Sequence, residues 1–97
     1  MNYPFQEETS TDVLEEVLED TGVHQQNDLV VYNDDINTFD HVIQTLVKVC
    51  DHSHEQAEQC AYIIHYKGKC TVKHGVMDEL KPMWQGVVDA GISAEIH

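Results

Sequence analysis

From Leu29 onwards the spacing of apolar residues changes repeatedly, and each change marks an element. Leu29-Val30-Val31-Tyr32 is a β-favouring run closed by the polar turn Asn33-Asp34-Asp35, which reads as a strand. Asn37 is placed to cap the next element, and Asp40 suits the first turn of a helix. Phe39, Val42, Ile43, Leu46, Val47 and Cys50 then recur at helical spacing. Ser53 and Gln56 form a capping box opening a second helix, with Ala57, Cys60, Ala61 and Ile64 inward and Gly68 just past its end. Lys69-Cys70-Thr71-Val72-Lys73 alternates as a second strand. After Gly75, Leu80, Trp84, Val87 and Val88 keep a helical period up to Gly91. Pro82 leaves two forms for this helix: a short turn followed by a helix of about 82–90, or a longer helix kinked at the proline. Ile92, Ala94 and Ile96 alternate as a last strand. The predicted order is β-α-α-β-α-β, a small α+β sandwich with helices on one face of a sheet.

Residues 1–27 differ from everything after them. They hold seven acids (Glu7, Glu8, Asp12, Glu15, Glu16, Glu19 and Asp20) and no base, against eleven acids and five lysines in the remainder. Val13, Leu14, Val17 and Leu18 line two helical turns, too few for an isolated helix to persist in water. The expected organisation is an acidic flexible tail over 1–27 and one domain over 28–97.

Charge then removes whole classes of function. Eighteen acids, five lysines and no arginine give a formal charge of −13, which repels both phosphate backbones and anionic membranes. Met1-Asn2-Tyr3-Pro4-Phe5 has no basic start, and Glu7-Glu8 interrupts any apolar stretch, so no signal peptide is expected. Cys50, Cys60 and Cys70 are odd in number and sit in or beside apolar segments, as expected of buried thiols in a reducing, cytoplasmic setting.

Three candidate chemistries fail on spacing or placement. A calcium loop beginning at Asn33 has Thr38 where glycine is required and Gln44 where a bidentate glutamate is required. Cys50, His52, His54, His65 and His74 lack paired zinc-ligand spacing, so no metal site is expected beyond adventitious binding. A Cys-His nucleophile needs an activated, accessible thiol, and all three cysteines sit at core positions, so no enzyme is expected. There remains Asn33-Asp34-Asp35 at a strand-to-helix junction, and His65 in the last turn of the second helix. Brought together beside Phe39, Val42 and Ile64, these acceptors suit an ammonium group carried on a hydrophobic side chain. Spacing alone favours the ordinary reading, an Asx turn and a histidine complementing a helix C-terminus.

Val31-Tyr32-Asn33-Asp34-Asp35, Phe39-Asp40-His41-Val42-Ile43 and His65-Tyr66-Lys67-Gly68-Lys69 together resemble the Clp protease adaptor family ClpS, over roughly Leu29 to Ile96. The resemblance implies an antiparallel sheet and a non-catalytic, cofactor-free, monomeric adaptor. Such a protein binds N-degrons, free N-terminal Leu, Phe, Tyr or Trp. It delivers them to the N-terminal domain of a ClpA-like or ClpC-like AAA+ unfoldase. It also implies that Asn33, Asp35 and His65 hold the α-ammonium, His65 as a neutral acceptor, with Asp34 at the pocket mouth. Val31, Asn37, Phe39, Val42, Ala61, Ile64 and Ile92 then form the side-chain pocket. Two stretches depart from the family pattern. Asn37-Thr38-Phe39 stands where Thr-Pro-Met is common, a bulkier gate that Ala61 offsets, and Glu79-Leu80-Lys81-Pro82-Met83 alters the unfoldase-facing helix. The alternative is an interaction domain of the same fold whose pocket is closed by Phe39.

Overall fold

The apolar run at Leu29-Val30-Val31 becomes the middle of the sheet, where both neighbours and a helical layer cover it. The computed structural model describes residues 26–97. Strand β1 (Asn27–Tyr32) leads into helices α1 (Phe39–Cys50) and α2 (His54–Lys67), strand β2 (Lys69–Gly75), helix α3 (Met77–Asp89) and strand β3 (Ala94–Ile96), the predicted order. The sheet runs β2-β1-β3, and both pairings are antiparallel. β1 opens at Asn27, so the last residue of the expected tail belongs to the domain; residues 1–25 lie outside those described.

Period-two alternation decides which face of the sheet is covered. Leu29 and Val31 point into the core, together with their β3 partners Ile96 and Ala94. Val42, Ile43, Leu46 and Cys50 of α1, Ala57, Ala61 and Ile64 of α2, and Leu80 and Val87 of α3 fill the other side of that layer. The opposite face of the sheet is polar around Val30, with the Tyr32 hydroxyl close to Glu95 and His97. Between Leu29↔Lys73 and Val30↔Thr71 the β1–β2 register shifts, and Val72 is the extra residue of this bulge. Its side chain is buried, and its carbonyl accepts a hydrogen bond from His52 Nε2 at 2.7 Å.

Several local expectations are corrected by these contacts. Thr38, rather than Asn37, caps α1, its hydroxyl accepting from the His41 N–H at 3.1 Å. The Asn37 side chain is engaged elsewhere, donating to Asp34 and to the Gly91 carbonyl. Ser53 caps α2 as expected, accepting from the Gln56 N–H at 3.1 Å. Pro82 lies inside one continuous α3, the longer of the two forms, where its exposed ring leaves the Asp78 carbonyl without an intrahelical donor. Tertiary ties offset that loss: Trp84 Nε1 donates to the Ala94 carbonyl at 2.9 Å, and His41 Nε2 to the Ala90 carbonyl at 2.8 Å. At Gly86 the helices α1 and α3 approach so closely that a Cβ would stand 2.7 Å from Val49 Cγ1. Of the cysteines only Cys50 is fully buried, while Cys60 and Cys70 sit half-buried at the edge of the core. His52 is a buried structural residue rather than a loop ligand. Among the described residues no helix is long and apolar enough to cross a membrane.

Candidate functional site

Backbone pairing brings together two segments more than thirty positions apart. Tyr32 of β1 pairs with Lys69 of β2, so the residue after β1 meets the residue before β2. The Asn33 N–H accordingly donates to the Gly68 carbonyl at 2.9 Å. Gly68 ends α2 in the left-handed region (φ 95°), returning its own N–H to the Ile64 carbonyl. His65, one turn before that end, is thereby held beside the Asn33-Asp34-Asp35 loop.

The loop itself is shaped by Asp34. One carboxylate oxygen accepts from the Ile36 and Asn37 N–H groups at 3.0 and 2.9 Å, and the other from Asn37 Nδ2 at 2.8 Å. These bonds, led by that from the Asn37 backbone, hold the Asp34 carboxyl below the usual carboxylate range. Asn37 Nδ2 also reaches the Gly91 carbonyl at 2.8 Å, anchoring the loop to the turn after α3. Asp34 is therefore the brace of the loop. By contrast Asn33, Asp35 and His65 are exposed, and among the described residues none of their side chains has a hydrogen-bond partner.

All three belong to the rim of one cavity of about 470 Å³, lined also by Asp34, Asn37, Phe39, Val42, Ala61 and Ile64. Val31 and Ile92 are fully buried in the core and do not line it. Phe39 stands as a wall of this cavity, its ring edge-on to Tyr62 with centroids 4.7 Å apart. Electrostatics at the rim favour a cation: Asp34 and Asp35 line it, no lysine does, and the carbonyl end of α2 carries partial negative charge. The result is a polar, cation-favouring edge over an apolar floor.

Two lining residues, Tyr62 and Tyr66, escaped the sequence reading. The signal was present in their spacing: a helix that sets His65 on the rim sets Tyr62, three residues before it, on the same face, and Tyr66 follows Tyr62 by one turn. Burial pushes the Cys50 thiol up to about 11, and burial together with neighbouring Cys60 pushes Cys70 up to about 12, so neither supplies a thiolate. Among the described residues no group of three or more His, Cys, Asp or Glu side chains is arranged to hold a metal ion.

The family profile of the ATP-dependent Clp protease adaptor protein ClpS matches residues 23–94, most of the chain. The chain belongs to the ClpS family. Among solved structures it is similar to Agrobacterium tumefaciens ClpS2 bound to L-phenylalaninamide, with TM-score 0.61, 18% identity, and coverage of 75% of this chain and 98% of that one. At that identity the likeness shows the ClpS fold, and the α+β antiparallel architecture agrees with it. A search of curated proteins finds no match.

Proposed function

We propose that the chain is a non-catalytic, cofactor-free adaptor of the cytoplasm. Its cavity takes free N-terminal Leu, Phe, Tyr or Trp, and it hands the bound protein to the N-terminal domain of a ClpA-like or ClpC-like AAA+ unfoldase. One observation carries the reading: Asn33, Asp35 and His65, without partners among the described residues, line the same cavity as apolar Phe39, Val42, Ala61 and Ile64. The A. tumefaciens relative was solved with L-phenylalaninamide, whose amine and aromatic ring present the same two features at one carbon. Membership in a Clp protease adaptor family supports the delivery step.

The energetics suffice. Burying a Leu or Phe side chain is worth about 1.5–3 kcal/mol. Charge-assisted hydrogen bonds to the ammonium add about 1.5–3 kcal/mol each before association costs. A micromolar complex, about −8 kcal/mol, is within reach once a few backbone contacts contribute. Acetylation removes the charge and leaves the acceptors unpaired, and an internal Phe has no amine to present. Phe39 lines an open cavity instead of filling it, which argues against the closed-pocket alternative.

The test is fluorescence anisotropy with short peptides beginning with Phe, Leu, Tyr, Trp or Ala, and an N-acetyl-Phe control. Bulky free N-termini are expected to bind and the others not. Equal or absent binding across the series overturns the reading.

A further inference from the structure

An N-terminal residue leaves its Cα in three directions. If the amine meets Asn33, Asp35 and His65 and the side chain enters the floor, the carbonyl must run along the rim. There it meets an aromatic surface that the first residue does not use. Tyr62 and Tyr66, one helical turn apart on α2, stack with centroids 6.2 Å apart and planes 9° from parallel. They remain 48% and 75% exposed although both line the cavity. Each meets a neighbouring ring edge-on, Tyr66 with His65 at 4.9 Å and Tyr62 with Phe39 at 4.7 Å. The shelf is therefore held in place by two residues of the first-residue site, within the reach of one Cα step of about 3.8 Å plus a side chain.

We propose that Tyr62 and Tyr66 form a subsite for the side chain of the second residue, and that it takes arginine in preference to neutral or acidic residues. Exposed tyrosine faces attract a guanidinium through the ring quadrupole, and its plane matches a flat stacked surface. The lining charges point the same way, since Asp34 and Asp35 share the cavity and no lysine does. This subsite rests on the N-terminal reading above but is separable from it.

The experiment uses the full chain and the peptides Phe-Arg, Phe-Ala and Phe-Glu in an otherwise constant sequence, with Ala-Ala as the first-residue control. Phe-Arg is expected to bind about two- to fivefold more tightly than Phe-Ala, the range of an exposed cation–π contact, with Phe-Glu weakest. In a Tyr62→Leu/Tyr66→Leu variant the Arg preference collapses while Phe-Ala still outbinds Ala-Ala. Tyr62→Phe/Tyr66→Phe keeps the ring faces and retains the preference. Equal affinities for the three Phe peptides overturn the subsite and leave the N-terminal reading standing. So does an Arg preference that survives the leucine variant, which assigns it to the acidic field. If Phe-Ala binds no better than Ala-Ala in the unaltered chain, the N-terminal reading fails and the subsite with it.

Discussion

The two ends of helix α2 carry similar residues and put them to opposite use. Before its first turn stand Asp51 and His52; near its last stand His65 and, across the β1–β2 junction, Asp35. At the first end His52 is buried, and its Nε2 donates to the bulge carbonyl of Val72 at 2.7 Å. Ser53 is likewise engaged, capping the helix. At the second end the backbone is fully tied, through Asn33 to Gly68 and Gly68 to Ile64, yet the Asn33, Asp35 and His65 side chains point to a cavity with no partner among the described residues. A histidine bonded inward contributes to stability, whereas one held rigidly beside open space is available to a ligand. The distinction lies in where the hydrogen bonds go, since residue type is the same at both ends.

Removing His52 is expected to have the largest effect. His52→Ala empties a buried site and strands the Val72 carbonyl, at a cost of about 3 kcal/mol in urea denaturation. Binding of a Phe-initiated peptide stays unchanged wherever the variant is folded. A loss of affinity comparable to that of a site variant would erase the contrast between the ends. His52→Leu sharpens the test: like alanine it removes the unpartnered Nδ1, but it refills more of the buried site and should be less damaging than His52→Ala.

Asp35→Ala reads the other end. On the proposed reading it costs one charge-assisted contact to the ammonium, about 2 kcal/mol or roughly thirtyfold in affinity. Stability should move by no more than about 0.5 kcal/mol, as for an exposed side chain without partners. His65→Ala is expected to follow the same split. A variant that unfolds instead would show the residue to be part of the scaffold.

Asp34 stands between these extremes and breaks the comparison if treated as a second Asp35. Its carboxylate braces the loop, so Asp34→Ala costs about 1–2 kcal/mol of stability, with a smaller, indirect loss of affinity. The pH dependence gives a second handle. A carboxyl held below its usual value stabilises the fold in full above the unfolded-state value of about 4, and that contribution is lost as pH falls through the folded value. Denaturation between neutral pH and pH 3 should therefore show a loss in the parent that is smaller in Asp34→Ala.

This division of labour explains what the sequence could and could not disclose. The element order followed from apolar period together with caps and turns, because strands and helices bury different spacings, and Leu29 through Tyr32, closed by Asn33-Asp34-Asp35, reads as a strand. Asn33, Asp35 and His65 were singled out by their placement, and their proposed role at the amine came from resemblance. Their convergence depends on the Tyr32–Lys69 pairing, which no local pattern states. Misreadings cluster where tertiary bonds override local preference. Asn37 is a good cap by type, but Asp34 and Gly91 claim its amide, leaving the cap to Thr38. Val31 and Ile92 matched a pocket by resemblance, yet both are buried in the core. Pro82 left two forms open on propensity alone, and packing of Leu80 and Trp84 selects the longer helix that runs through it. Tyr62 and Tyr66 are exposed, and only the cavity beside them gives that exposure a meaning.

The smallest effects come from the two caps of α2, and they offer the closest control. Ser53→Ala removes one side-chain acceptor at the His52 end and costs about 1 kcal/mol. Gly68→Ala costs a similar amount, about 1 kcal/mol, for a different reason: φ of 95° disfavours any side chain, while a Cβ there meets nothing within 4 Å. Equal stability losses should have unequal consequences for binding. The Gly68 carbonyl receives the Asn33 N–H, so strain relieved by opening that turn separates Asn33 from His65 and lowers peptide affinity. Ser53→Ala leaves that junction untouched and should leave affinity alone. Thermal denaturation and peptide anisotropy on the two variants, matched for stability, separate a general weakening of α2 from a displacement of the rim; equal affinity in both would mean that the Asn33–Gly68 link does not position the site.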